Sequence, residues 1–112
     1  MKKAHIIAEM ATNYFDSDHL AEESIKSAVF AGANSIKIQI MVPKETYLDG
    51  NYKYGNYKIQ NVRKLREIAY LTDKRLLKLR KISSKYKINI TASIFGLESL
   101  RKASILNPIY YK

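Results

Sequence analysis

Strand-like and helix-like segments alternate along the chain, and this order constrains the fold more than any other feature. Alternating apolar residues predict strands at residues 4–10, 35–40, 88–93 and 109–112. Apolar residues at helical spacing predict helices at residues 16–34, 62–69, 73–87 and 96–106. The order β-α-β-α-β-α-β indicates parallel strands joined by right-handed crossovers.

Turn and cap residues support these boundaries. Ser17 and its two aspartate neighbours offer N-caps to the first helix, and Gly32 is placed to end it. Thr72 is an N-cap candidate for the helix at residues 73–87. Residues 41–61 show no regular period and are predicted to form a long excursion loop, which in compact domains is often functional.

Each strand has one apolar face and one face with polar groups. In the second strand Ile36, Ile38 and Ile40 alternate with Lys37 and Gln39. A doubly wound sheet is covered by helices on both faces and favours continuously apolar strands. In a (β/α)8 TIM barrel, helices cover only the outside and the active site lies at the C-terminal mouth. The pattern therefore favours about four βα units of a partial TIM barrel, and the wet side of an open sheet is the alternative.

Composition narrows the class of protein further. The 112 residues carry a formal net charge of +10 and no cysteine. No apolar run of about 18 residues predicts a membrane span. We therefore expect no membrane partner. The lack of cysteine excludes disulfides and thiolate metal sites, which favours a cytoplasmic protein. The basic excess alone is an unspecific signal, and we do not expect nucleic acid as the partner.

A series of short motifs follows the predicted elements over nearly the whole chain. These motifs are Ala8-Glu9, Asn13, Ala31-Gly32-Ala33, Lys37-Ile38-Gln39, Ser93-Ile94-Phe95 and Tyr111-Lys112. Their order and spacing resemble the opening of the N-acetylneuraminate (sialic acid) synthase family. The resemblance implies a transferase of carbohydrate biosynthesis that condenses phosphoenolpyruvate with an N-acetylated amino sugar such as N-acetylmannosamine.

The resemblance also implies roles for individual residues. Lys37 and Lys112 would bind the phosphate and carboxylate of phosphoenolpyruvate, and charge-assisted hydrogen bonds suit that anion. Ser93 would donate a hydroxyl hydrogen bond, and Gln39 would position Lys37 or the ligand. Glu9 would be the catalytic residue, beside the sugar and a metal-bound water. A divalent manganese or magnesium ion would activate the sugar aldehyde as a Lewis acid.

Several positions depart from the family's pattern. Tyr14 stands where the family has histidine, Ala11 where it has glycine, and Ile94 where it has proline. Neither His5 nor His19 matches a metal-ligand position, so the metal ligands are expected outside this chain.

Chain length bears on activity. A complete barrel needs about 250 residues. We therefore expect residues 1–112 to be a truncated N-terminal half with open sheet edges. It would be inactive alone and complemented by a C-terminal chain or by homo-oligomerisation.

Two other functions remain open from the residues alone. Lys37 could be the Schiff-base amine of a TIM-barrel aldolase or lyase that acts on an anionic substrate. The basic charge could instead belong to a nucleic-acid-binding module, whose binding would depend strongly on salt.

Overall fold

A parallel three-stranded sheet forms the framework of the chain, which a computed structural model describes over residues 3–112. In chain order the elements are β1 (Ile7–Ala11), α1 (Asp18–Phe30), β2 (Ser35–Ile40), α2 (Pro43–Thr46), β3 (Lys53–Tyr54), β4 (Tyr57–Lys58), α3 (Ile59–Ile68), α4 (Asp73–Lys85), β5 (Asn89–Ile94) and α5 (Leu97–Ser104). The sheet order is β1-β2-β5, and β3 pairs with β4 in a separate antiparallel hairpin. The fold is therefore mixed α/β, as the alternating pattern predicts.

Helices cover one face of the sheet. The isoleucines of β2 on that face, Ile36, Ile38 and Ile40, are each at most 1% exposed. They share one core cluster with side chains from α1, α4 and α5, including Ile25 and Leu79. The predicted alternation of faces is confirmed for β2, and this one-sided packing is compatible with a partial barrel.

The helix ends follow the predicted capping chemistry. The Ser17 side chain accepts a hydrogen bond from the Leu20 amide, and Thr72 caps α4 in the same way. Gly32 has a φ of 83°, the left-handed conformation that glycine adopts easily after a helix. Within residues 3–112, no helix is both long enough and apolar enough to cross a membrane.

The excursion after β2 is more ordered than predicted. It contains α2 and the β3–β4 hairpin, and α3 begins at Ile59 rather than at residue 62. The physical reason is that Ile59 is completely buried and so anchors the first turn of the helix. A pattern search misses this start because the hairpin strands are only two residues long.

The predicted fourth strand is only partly formed. Residues 109–112 are not a regular strand, but the Lys112 amide donates to Ala92 and its carbonyl accepts from Ile94. This pair of bonds is the pattern of a parallel bridge in which Lys112 lies opposite Ser93.

A buried ammonium ties α5 to the start of α4. Lys102 is 2% exposed, and its Nζ donates to the Leu71 carbonyl and to Asp73 Oδ1, both at 2.9 Å. Burial acts to lower the pKa of Lys102, but hydrogen bonds to Asp73 and Tyr70 leave that pKa above its ordinary value. Hydrogen bonds from Arg101 and then Lys102 lower the pKa of Asp73 to about 2.

We expect Asp73→Asn to unfold at a lower urea concentration than the unchanged chain at neutral pH, because Lys102 stays buried without its carboxylate. The folded pKa of Asp73 lies below its unfolded value of about 3.9. Its stabilising effect is therefore complete above that unfolded value and disappears as the pH falls through about 2. Glu23→Gln, which removes a carboxylate from the exposed pair with Lys26, is the matched control. Equal urea midpoints at neutral pH for the chain and Asp73→Asn would contradict the expectation.

Candidate functional site

An ion pair lies in the middle of the polar face of the sheet. The register aligns Glu9 of β1, Lys37 of β2 and Thr91 of β5 in one row. Lys37 Nζ lies 2.5 Å from Glu9 Oε2, and the lysine side chain is only 12% exposed. A largely buried ammonium needs an anionic partner, and Glu9 supplies one.

A bulge at the end of β1 orients Glu9. The register between β1 and β2 shifts after Glu9, and Ala11 adopts a φ of 49°. In this conformation the Ala11 amide turns back and donates to Glu9 Oε1 at 3.0 Å. Bulges commonly re-aim side chains next to binding sites. Both carboxylate oxygens of Glu9 are therefore held, one by the backbone and one by Lys37.

The hydrogen bond that Lys37 donates to Glu9 also favours the charged form of Lys37. It raises the pKa of Lys37 above its ordinary value, against the opposing effect of burial. The side chain is therefore an ammonium at neutral pH. This polar face presents a fixed positive charge balanced by one carboxylate.

A second polar row lies one step nearer the C-terminal ends of the strands. Gln39 and Ser93 are in register, and the backbone bridge to β5 aligns Lys112 with Ser93. Residues aligned across parallel strands share a face. The structure thus places all five residues predicted for the site on one face of the sheet: Glu9, Lys37, Gln39, Ser93 and Lys112.

A third polar row lies on the same face, at the N-terminal ends of the strands. His5 Nε2 lies 2.9 Å from Ser35 Oγ, and Ser35 Oγ lies 2.7 Å from the Tyr110 hydroxyl. Thr91 Oγ1 donates to the Tyr110 carbonyl. Ser35 and Tyr110 were not predicted for the site, although a spacing of two from Lys37 places Ser35 on the polar face. His5 belongs to this N-terminal row and therefore lies away from the C-terminal ends of the strands.

The excursion loop is attached to the mouth through Glu45. The Glu45 carboxylate accepts hydrogen bonds from the Glu98 amide at 2.6 Å and the Ser99 amide at 3.1 Å, at the N-terminus of α5. A Cβ on Gly96 would lie 2.5 Å from the Glu45 carboxyl carbon, so any larger residue there would displace the Glu45 carboxylate. Sequence patterns give no signal for this contact, because it joins residues 53 positions apart.

Residues 3–112 do not supply a ligand set for the metal ion that the family resemblance implies. Within residues 3–112 no three histidine, cysteine or acidic side chains converge on one point. His5 is bonded to Ser35, and His19 is exposed on α1. The described residues therefore do not form a metal site by themselves.

Comparison with known proteins returns the same class, a mixed α/β fold with a parallel sheet. The chain is similar to N-acetylneuraminic acid (sialic acid) synthetase from Leptospira borgpetersenii serovar Hardjo-bovis, solved in complex with citrate. The sequence identity is 25% and the TM-score 0.75, over 98% of this chain and 35% of that one. This likeness supports a sialic acid synthase-like relationship.

A second solved structure is similar in fold. It is the spore coat polysaccharide biosynthesis protein SpsE from Bacillus subtilis, with 20% identity, a TM-score of 0.70, and coverage of 98% of this chain and 29% of that one. The chain thus spans about a third of the length of both structures. No protein-family model and no curated protein sequence matches it.

We expect Ala11→Gly to stabilise the chain by about 0.5–1 kcal/mol. Alanine is strained at the positive φ of the bulge, whereas glycine is not, and the gain exceeds the added flexibility of the unfolded chain. Ala8→Gly is the control in the same strand and should destabilise by about 0.5–1 kcal/mol. Urea denaturation measures both. Equal destabilisation by the two substitutions would show that Ala11 is not strained in the bulge.

We expect Tyr14→Phe to be more stable than the unchanged chain by about 1 kcal/mol, because the buried Tyr14 hydroxyl has no hydrogen-bond partner within residues 3–112. Burial raises the pKa of Tyr14, so the folded chain keeps a proton that the unfolded chain loses above pH ~10. The advantage of phenylalanine should therefore grow above that pH. Urea denaturation at neutral and alkaline pH tests this, with the exposed Tyr57→Phe as control. An unchanged difference across that pH range would contradict it.

Proposed function

We propose that this chain carries the phosphoenolpyruvate-binding side of a sialic acid synthase-like (β/α)8 barrel. The reaction would condense phosphoenolpyruvate with an N-acetylated amino sugar of the N-acetylmannosamine type. The observation that carries the proposal is that Lys112 lies on the same polar face of the sheet as the Lys37–Glu9 ion pair, opposite the face that packs against α1, α4 and α5. The fold similarity to a sialic acid synthetase supports it independently.

The chemistry of this face suits a small, highly charged anion. The Lys37 ammonium is already desolvated and held in place, so it binds phosphate without a large loss of side-chain freedom. Lys112 would add a second positive charge in the neighbouring row. Ser93 and Gln39 offer neutral donors between the two lysines, which suits an anion with both phosphate and carboxylate groups.

Glu9 would act beside the bound anion. Its carboxylate is held by the Ala11 amide and by Lys37, so it keeps its orientation when a ligand draws on the same ammonium. We assign it the catalytic role of orienting the sugar or a reacting water by accepting a hydrogen bond. The metal ligands would lie outside residues 3–112, and the absence of activity in this chain alone stays a prediction.

A Schiff-base mechanism at Lys37 is less favoured. An amine nucleophile must be deprotonated, and enzymes achieve this by lowering the lysine pKa. Here the Glu9 hydrogen bond raises the pKa of Lys37, which favours electrostatic binding over imine formation.

A nucleic-acid module is also less favoured. Several basic side chains of α4 are engaged in ion pairs with acidic residues of α1, including Lys78 with Asp18 at 2.5 Å and Lys85 with Glu22 at 2.7 Å. Part of the basic excess therefore stabilises helix packing instead of forming a free cationic surface.

We expect Lys37→Met to weaken phosphoenolpyruvate binding at least about tenfold, because a desolvated charge-assisted hydrogen bond contributes roughly 1.5–3 kcal/mol. Phosphorus NMR titration of the chain measures binding directly. Lys64→Met, which removes the same charge from an exposed position of α3, is the matched control and should bind like the unchanged chain.

Two outcomes would overturn the proposal: no binding by the unchanged chain, or equal losses in Lys37→Met and Lys64→Met. Borohydride treatment with a carbonyl substrate separates the aldolase alternative. A trapped adduct on Lys37 would favour that alternative.

A further inference from the structure

Residues 109–112 carry Lys112 to the candidate site without forming a regular strand. Two backbone hydrogen bonds join this segment to β5: the Lys112 amide donates to the Ala92 carbonyl at 3.2 Å, and the Ile94 amide donates to the Lys112 carbonyl at 2.9 Å. A strand pairing this short is weak by itself. The position of the Lys112 side chain therefore depends on what else attaches the segment to the sheet.

The side chain of Tyr110 crosses β5 and reaches β2. The Tyr110 hydroxyl lies 2.7 Å from Ser35 Oγ, at the start of β2. In the sheet order β5 lies beside β2, and residues 109–112 pair with β5 on its other side. Ser35 Oγ also lies 2.9 Å from His5 Nε2, just before β1. One chain of three polar groups thus connects the segment to the far side of the sheet.

Ser35 has no access to water in place of these partners. It is 0% exposed, and buried hydroxyl groups are normally hydrogen-bonded. A serine hydroxyl has one proton, so Ser35 donates to one of its two neighbours and accepts from the other. The His5 ring also packs edge-on against the Tyr110 ring, with 6.2 Å between ring centroids. The Tyr110 side chain is therefore held both at its hydroxyl and at its ring.

A second contact holds the backbone of Tyr110. Thr91 Oγ1 donates to the Tyr110 carbonyl, and Thr91 is 1% exposed. Thr91 is also the register partner of Lys37. Tyr110 is thus attached to the polar face at its side chain and at its carbonyl, two residues before Lys112.

We propose that Tyr110 is a positioning residue for Lys112: it holds residues 109–112 against the sheet, so that the Lys112 ammonium faces the same ligand as Lys37. The identity of that ligand, phosphoenolpyruvate, rests on the proposed function. Segments with few contacts open easily, and a ligand that needs Lys112 binds only the fraction of chains in which the segment is docked. The Tyr110 hydroxyl therefore raises the affinity for the anion without touching it.

Amide hydrogen exchange, followed by NMR on the whole chain, tests the attachment. Tyr110→Phe keeps the ring and removes the hydroxyl. We expect the Lys112 and Ile94 amides to exchange about two- to tenfold faster in this variant, the range for one lost hydrogen bond. Ser35→Ala removes the other end of the same bond, so the double variant should exchange no faster than Ser35→Ala.

Tyr86→Phe is the matched control. It also removes a tyrosine hydroxyl that donates a hydrogen bond, at 2.8 Å to Glu22, but this bond joins the end of α4 to α1 on the helical side of the sheet. A general loss of stability would act in this variant as well. We expect the exchange rate of the Lys112 amide to stay unchanged in Tyr86→Phe.

Phosphorus NMR titration with phosphoenolpyruvate tests whether Tyr110 acts through Lys112. Tyr110→Phe should weaken binding at least about twofold, because the docked fraction falls. The same substitution should have no further effect in a chain that already carries Lys112→Met. A role of Tyr110 in overall stability alone would not depend on Lys112.

Four results would overturn the inference: unchanged exchange in Tyr110→Phe, equal acceleration in Tyr86→Phe, unchanged phosphoenolpyruvate binding in Tyr110→Phe, or a loss of binding that persists undiminished beside Lys112→Met. Faster exchange in Tyr110→Phe, with no phosphoenolpyruvate binding by the unchanged chain, would overturn the proposed function instead. The attachment of Lys112 by Tyr110 would then still stand.

Discussion

One-sided burial of the sheet is the constraint on which the rest of the structure depends. The isoleucine face of β2 lies under α1, α4 and α5, and this removes most of the core's apolar surface from water. The opposite face receives no such cover from those helices, so its polar residues must satisfy one another. Lys37 and Glu9 do so by pairing, and Ser35 and Tyr110 do so through their hydroxyl groups. Polarity on this face is the condition for any binding role.

The polar face holds its central charge in a fixed position. Lys37 is held rigidly before any ligand arrives, which lowers the entropic cost of binding an anion. Beside it, Arg66 of α3 donates to Thr12 Oγ1 and so links α3 to the turn after β1. Glu45 anchors the excursion loop at the N-terminus of α5.

Much of the fold and the site could be predicted because their signals are local. Alternation within β2 placed Lys37 and Gln39 on the face opposite the isoleucines, and short motifs selected Glu9, Ser93 and Lys112. The contacts that escaped prediction link distant segments, such as Glu45 with the first turn of α5. Side-chain identity does not encode such a contact, because it depends on how two loops meet after the helices pack. The hairpin was missed for a related reason, since two-residue strands leave almost no periodic pattern.

The sequence by itself determined the order of the main strands and helices, the polar face of β2, and the residues that cap α1 and α4. These properties follow from side-chain spacing and capping, which act over a few residues. Only the tertiary structure decided that Glu9 reaches Lys37, that Ala11 adopts a strained bulge, and that Glu45 reaches the first turn of α5. Those features depend on strand register and on loop contacts, and both arise only when distant parts of the chain pack together.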